Sequence, residues 1–291
     1  MNPMLFVICI LIALFASFIG SVSGIGGGII IKPVLDLTGK FPIETVNFLS
    51  GVTVLTMSTS SLIQNFLSRR NSLKKVEISD QAIDDEIDLD DQIRQKSLKP
   101  RQIILLSLGS VIGGFIGTSL FSYFMHSTGN QKLAVLVQAI LILMITIVVM
   151  IYQANKKRIK TKNFSDVISE TSVGLILGVI SSFLGIGGGP LNIAVLAFFF
   201  SMSPKIAALS SLTIIFSAQI VSLILTIVGN KIPEFNLSIL IGMMISGLLG
   251  ALIGRYLARK LSDEKTDIFF NFALWLILAI NLYNVVKNLV W

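Results

Sequence analysis

Long runs of apolar residues dominate this chain, and short polar segments separate them. Eight such runs can be drawn, and most of them exceed the roughly 20 residues that an α-helix needs to cross a bilayer. They lie at residues 4–37, 45–68, 101–125, 132–153, 170–202, 206–229, 236–258 and 267–286. The pattern predicts an all-α integral membrane protein with about eight apolar helical segments.

The first and fifth runs contain the same glycine cluster, GIGGG, at residues 24–28 and 185–189. A glycine inside a helix costs about 1 kcal/mol relative to alanine. Four glycines within five residues therefore predict that segments one and five are broken helices. Paired broken helices in a membrane protein are typical of a transporter's substrate site.

Composition and charge support a membrane protein. Of the 291 residues, 53% are hydrophobic and 13% are charged, which is about half the charged share of a soluble domain. The net charge is +7, although half of the 16 acidic residues lie between Glu77 and Asp91. The remaining basic excess fits loops held by anionic membrane lipid and requires no nucleic-acid partner.

The two halves of the chain resemble each other. Placing Gly24 on Gly185 sets an offset of 161, and residues 49–53 then match residues 209–213 at an offset of 160. A later run of spaced glycines, beginning at Gly109, matches the run beginning at Gly242 at an offset of 133. The difference of about 27 residues indicates an insertion at residues 71–99, the acidic loop. This predicts two homologous halves, residues 1–155 and 156–291.

Basic residues form three clusters, which predict how the halves face. The clusters flank the acidic loop, follow segment four, and surround the end of segment seven. If every segment crossed the membrane once, the second and third clusters would lie on opposite sides, against the positive-inside rule. If segments one and five instead enter and return on one side, all three clusters and the acidic loop are cytoplasmic. The prediction is an inverted repeat with three crossings per half and both termini outside; a parallel repeat with four crossings per half is the alternative.

The two glycine clusters predict an anion site. A helix that restarts after glycines presents free backbone N–H groups and the positive end of its dipole, which together bind anions. Nearby hydroxyl and amide side chains can add hydrogen bonds, although close helix packing is the alternative explanation for each of them. The predicted substrate-binding residues are Gly24, Gly26, Gly27, Gly28, Lys32, Ser50, Thr53, Gly185, Gly187, Gly188, Gly189, Asn192, Ser210, Ser211 and Thr213.

Lys32 is the cation nearest to a glycine cluster within an apolar run. A charge inside a membrane segment indicates function by default. The second half has Ile193 at the matching position. Lys32 therefore either contacts substrate, extends to the membrane surface, or pairs with Asp36 one turn later.

Motifs for catalysis are missing. The chain has no GxxxxGK[ST] loop, so ATP is not the direct energy source, and Ile29 and Pro190 replace the last glycine of a dinucleotide fingerprint. The single histidine, His126, ends an apolar run, so neither a Ser-His hydrolase nor a zinc protease can be assembled within the membrane. We expect no enzyme activity, no cofactor and no metal.

The sequence GIGGG followed by Ile29-Ile30-Ile31-Lys32-Pro33, with the second copy GIGGG-Pro190, resembles the sulfite exporter TauE/SafE family of membrane transporters. The second copy departs at Ala194, where the first has Pro33. The resemblance implies secondary transport of small sulfur-containing anions such as sulfite, sulfonates, sulfoacetate or thiosulfate, often as export and driven by an ion gradient.

These features together predict a multi-pass transporter of the cell membrane that works by alternating access. Its expected partners are a small inorganic or organic sulfur anion, membrane lipid, and a coupling ion, either a proton or sodium. The alternatives are an anion channel or a membrane scaffold that transports nothing.

Overall fold

The computed structural model describes residues 3–78, 100–186 and 188–290, and within these ranges it contains helices and no strands. The described helices are α1 (Pro3–Ser23), α2 (Gly28–Thr38), α3 (Ile43–Ile78), α4 (Pro100–Thr128), α5 (Gln131–Asn155), α6 (Val167–Leu184), α7 (Gly189–Phe200), α8 (Pro204–Val228), α9 (Leu237–Lys260) and α10 (Asp263–Val290). The all-helical prediction is confirmed. Most of the acidic loop, residues 79–99, lies outside the described residues.

Eight of these helices are long and apolar enough to cross a membrane; α2 and α7 are shorter, with 11 and 12 residues. The predicted count of about eight apolar segments is therefore confirmed. Segment one of the sequence corresponds to α1 with α2, and segment five to α6 with α7.

Polar side chains at the bundle surface set where several helices begin. Asp166 accepts a hydrogen bond from the N–H of Ser169 at the start of α6, and Asn236 accepts from Ser238 and Ile239 at the start of α9. These N-caps satisfy N–H groups that have no partner within the helix.

Helices α1 and α9 pack in parallel through small residues. Gly242 lies against Ile10, Gly250 against Leu14 and Phe18, and Gly254 against Phe18. Residue numbers rise together along both helices, which fixes their common direction. A Cβ atom at Gly250 or Gly254 would meet the backbone of α1, so glycine at these positions allows the two helices to approach closely.

Helices α4 and α6 repeat this arrangement with residues of the opposite halves. Gly109 lies against Thr171, and Gly117 lies against Val179. Gly117 aligns with Gly250 at the offset of 133, and Phe18 aligns with Val179 at the offset of 161. The contact between Gly117 and Val179 is therefore the counterpart of that between Gly250 and Phe18. Each half thus contributes one helix to a parallel pair with the other half.

One end of the bundle gathers the basic clusters. Asn65 on α3, one turn before Arg69 and Arg70, accepts a hydrogen bond from Arg255 on α9. Lys156, which follows α5, forms an ion pair with Asp267 on α10. These contacts bring the three clusters to the same end, which we call the basic end.

Helix α2 returns toward the end of the bundle at which α1 begins, and helix α7 returns toward the end at which α6 begins. The end of α2 contacts the end of α10, where Asn284 donates to the carbonyl oxygen of Pro33 (2.8 Å) and Lys287 to that of Leu37 (2.7 Å). Because α10 begins at the basic end, α2 terminates at the opposite end. By contrast, the end of α7 lies at the basic end, where the carbonyl oxygen of Phe198 accepts the N–H of Lys162 (2.8 Å).

Candidate functional site

Both glycine clusters lie between two helices. Helix α1 ends at Ser23 and α2 begins at Gly28, while α6 ends at Leu184 and α7 begins at Gly189. We call residues 24–27 the first break and residues 185–188 the second break. Positive φ angles, such as +75° at Gly24 and +94° at Gly188, explain the need for glycine, because L-residues rarely adopt them. Gly187 lies outside the described residues.

The starts of the two short helices meet inside the protein, beside the second break. A Cβ atom on Gly28 would lie 2.7 Å from the carbonyl oxygen of Ile186, and one on Gly189 would lie 2.7 Å from the side chain of Ile29. All four residues are buried. The start of α2 therefore touches the second break, and the starts of α2 and α7 touch each other.

Gly24, Gly26 and Gly27 form the first break, which packs tightly against its surroundings. Gly24 lies against Ala208 on α8. The carbonyl oxygen of Gly27 accepts the N–H groups of Ile30 and Ile31, both at 3.0 Å. The N–H groups just before these, at the start of α2, are those that a helix leaves without an internal acceptor.

Asn192 lies beside the second break with its polar atoms unused. Its side chain is 1% exposed, and neither the amide nitrogen nor the amide oxygen has a hydrogen-bond partner among the described residues. A Cβ atom on Gly188 would meet this amide. A buried polar group without a partner costs about 1–3 kcal/mol.

The predicted hydroxyl residues fall into two groups. Ser50 and Ser211 are fully buried, and their hydroxyl groups have no partner within the described part of the chain. Thr53 and Thr213 instead donate to backbone carbonyl groups one turn earlier, at 2.8 and 3.2 Å. Back-bonding within the helix accounts for these two threonines. Ser210 is also buried, with 5% of its surface exposed.

Lys32 is buried, and its hydrogen-bond partner Asn47 lies against the second break. Lys32 is 1% exposed, and its Nζ donates a hydrogen bond to Oδ1 of Asn47 on α3. A Cβ atom on Gly185 would meet the same amide, so the cation lies next to the second break. Lys32 neither extends to the surface nor forms an ion pair with Asp36, although Asp36 and Glu44 are close enough to attract it electrostatically.

Asn47 joins the candidate site through its contacts with Lys32 and Gly185, and the sequence prediction missed it. It precedes Ser50 by three residues and Gly51 by four, so these residues lie on one face of α3. That spacing is the signal that could have identified Asn47, because a polar side chain on the same helix face as the predicted site residue Ser50 points in the same direction.

A cavity of about 230 Å³ lies between the breaks and the basic end. Ser23, the last residue of α1, lines it, as does Ile193, which follows Asn192. At its other end lie Lys156 and Asp267, whose ion pair is partly exposed. The cavity thus extends from the end of α1, beside the first break, and from α7 to side chains at the surface.

Comparison with known proteins gives two matches. A family model described as sulfite exporter TauE/SafE matches residues 91–282, which include the second glycine cluster. A protein of Bacillus subtilis (strain 168) named "Probable membrane transporter protein YunE" is 26% identical over 276 residues, which cover 88% of this chain and 91% of that protein. No solved structure matches the chain.

Proposed function

The chain belongs to the sulfite exporter TauE/SafE family of membrane transporters, and from this premise we propose that it is a secondary transporter of small sulfur-containing anions. The proposed substrates are sulfite, a sulfonate, sulfoacetate or thiosulfate, and the proposed direction is export. A gradient of protons or sodium ions is the proposed source of energy.

The unpartnered amide of Asn192 beside Gly188 carries this proposal. An amide nitrogen and a hydroxyl group donate hydrogen bonds to an oxyanion without adding charge when the site is empty. Ser50 and Ser211 offer two more buried hydroxyl groups of this kind. The starts of α2 and α7 add backbone N–H groups and the positive ends of two helix dipoles.

Lys32 supplies the positive charge that a buried anion needs. Burying an isolated charge is costly, and its hydrogen bond to Asn47 offsets only part of that cost. An anion bound at the second break neutralises the cation. The site thus favours anions over neutral solutes of the same size.

Alternating access is proposed from the way the two halves interlock. The halves form equivalent parallel pairs, α1 with α9 and α4 with α6, and their short helices return toward opposite ends of the bundle. These contacts favour the inverted repeat over the parallel one. With the basic end placed in the cytoplasm by the positive-inside rule, the cavity beside Ser23 faces the cytoplasm of a cell-membrane transporter.

Counterflow in liposomes tests the proposal. Protein is reconstituted into vesicles loaded with unlabelled sulfite, and uptake of a radiolabelled sulfite tracer is followed. A transporter gives saturable uptake that depends on internal sulfite, and liposomes without protein give none. Ohmic, unsaturated conductance would favour an anion channel, and no flux of any sulfur oxyanion would overturn the proposed substrate class.

A further inference from the structure

Arg255 on α9 is a buried cation outside the site described above. Only 8% of its surface is exposed, although it lies less than two turns from the end of its helix. One terminal nitrogen donates to Oδ1 of Asn65 at 3.0 Å, while Nε has no partner among the described residues. A guanidinium group held at one edge and unpaired at another is an incomplete hydrogen-bonding arrangement.

A second cavity, of about 200 Å³, lies next to Arg255. Arg259 and Lys205 also line it, together with Thr266, and no acidic residue within the described part of the chain does. The carboxylate of Asp263 accepts the backbone N–H of Lys205 at 3.2 Å but does not line the cavity. Three cations therefore line a small cavity to which the described residues contribute no carboxylate.

We infer that this cavity, which we call the Arg255 cavity, binds a small oxyanion with up to two negative charges. The guanidinium group offers parallel N–H donors that match two oxygens of such an anion. The hydroxyl group of Thr266 already donates to the carbonyl oxygen of Ser262 at 3.0 Å, so the cations carry the binding. Bound anion neutralises cations that otherwise repel one another in a partly buried space. The same chemistry fits a free sulfite, sulfate or phosphate ion and the phosphate group of an anionic lipid.

The position of the cavity suggests what a free anion would do there. Val22, one of its lining residues, lies two residues before Gly24, and Ala208, another, contacts Gly24. The Arg255 cavity is thus a site beside the first break at the basic end. From there, a free anion could pass to the proposed substrate site, so the cavity would serve as a loading site. This role rests on the proposed function, whereas anion binding in the cavity does not.

Isothermal titration of the purified full-length chain with sodium sulfite tests the inference. Arg255→Gln should weaken one class of binding site about tenfold or more, because a hydrogen bond to a charged group is lost. Arg158→Gln is the matched control, because Arg158 is exposed at the same end and its substitution changes the net charge equally. Arg255→Lys keeps the charge and loses the paired donors, so an intermediate affinity is expected even if the glutamine variant folds poorly.

Asn192→Leu separates this inference from the proposed function. If both are right, sulfite binds at two classes of site, one lost in Arg255→Gln and the other in Asn192→Leu. A single class that is lost only in Arg255→Gln would support the Arg255 cavity and oppose the proposed site at the breaks. A single class that is lost only in Asn192→Leu would overturn the inference.

Titration with dihexanoyl phosphatidylglycerol and with inorganic phosphate separates lipid from free anion. Competition by inorganic phosphate, lost in Arg255→Gln, supports a free-anion site. Binding of the lipid alone, also lost in Arg255→Gln, supports a headgroup site of the same chemistry. If sulfite, phosphate and the lipid all fail to bind, or if Arg255→Gln binds them as the wild type does, the inference is wrong.

Discussion

Lys32 donates a hydrogen bond from Nζ to Oδ1 of Asn47, and the same amide lies against Gly185. The cation follows the first glycine cluster in sequence, and the amide of Asn47 lies between it and Gly185 at the second break. Asn192 lies on the other side of that break, beside Gly188. We therefore propose that an anion at the second break is held by Asn192 and the start of α7 and is attracted by the charge of Lys32.

Lys32→Met should raise the sulfite concentration for half-maximal transport about tenfold or more, because the buried cation no longer attracts the anion. The thermal stability of the empty protein should stay equal or rise, since a buried cation without an ion-pair partner is lost. Counterflow kinetics and thermal unfolding measure the two effects.

Lys287→Met is the control for this variant. Lys287 donates to the carbonyl oxygen of Leu37 on the same helix α2, away from the breaks. Its substitution should leave half-saturation unchanged. Unaltered transport in Lys32→Met would remove Lys32 from the substrate site.

Asn192→Leu should weaken sulfite binding while leaving the fold intact or more stable. The amide has no partner in the empty protein, so an apolar side chain of similar size removes an unsatisfied polar group. Thermal unfolding with and without sulfite measures both effects, because a ligand stabilises the state that binds it. Asn281→Leu, a buried asparagine on α10 that donates to Ile277, should retain the sulfite-induced shift. Equal shifts in Asn192→Leu and the wild type would contradict a role for this amide.

Gly188→Ala should abolish transport, because its φ of +94° is unfavourable for alanine and the new Cβ would meet the amide of Asn192. Gly129→Ala tests whether backbone strain alone is responsible. Gly129 has a φ of +61°, and a Cβ atom there would meet nothing within 4 Å, so alanine costs about 1–2 kcal/mol without a clash. Both variants are compared by counterflow after matching the amount of folded protein. Equal loss of transport in both would mean that the second break has no specific role.

Cysteine labelling tests the orientation of the halves. In a Cys9→Ala background, which removes the buried native thiol, single cysteines replace Asp85, Arg158 or Lys260. An impermeant maleimide should label all three from the cytoplasmic side only, while Lys231→Cys, in the loop before α9, should react from outside. Labelling of Lys260→Cys from outside would reject the inverted arrangement, since a parallel repeat places residues 158 and 260 on opposite sides.

Much of the architecture was predictable because it depends on local composition. Apolar length alone gave eight candidate crossings, since each helix must satisfy its own backbone hydrogen bonds in lipid. The glycine clusters coincide with the residues between α1 and α2 and between α6 and α7. The spaced glycines that align the two runs at an offset of 133 include Gly117 on α4 and Gly250 on α9, and both lie at helix contacts.

The residues of the site were predictable only in part. The glycines and Asn192 were predicted because they adjoin the clusters in sequence, and the serines because they lie in the next helix; their part in substrate binding stays a prediction. Asn47 and Arg255 were not assigned to a site, because their roles depend on neighbours 15 and 190 residues away in the chain. Thr53 and Thr213 were included among the predicted site residues because of their positions in the sequence. Their hydroxyl groups, however, donate to carbonyl oxygens within their own helices.

The sequence by itself determined that this chain is a helical membrane protein with glycine clusters in two of its apolar segments, because hydropathy and glycine content act within a few residues. Only the tertiary structure decided which helices pair, that the start of α2 touches the second break, and that Lys32 donates to the amide beside Gly185. Those contacts join residues far apart in the chain, and they depend on how closely small side chains allow whole helices to approach.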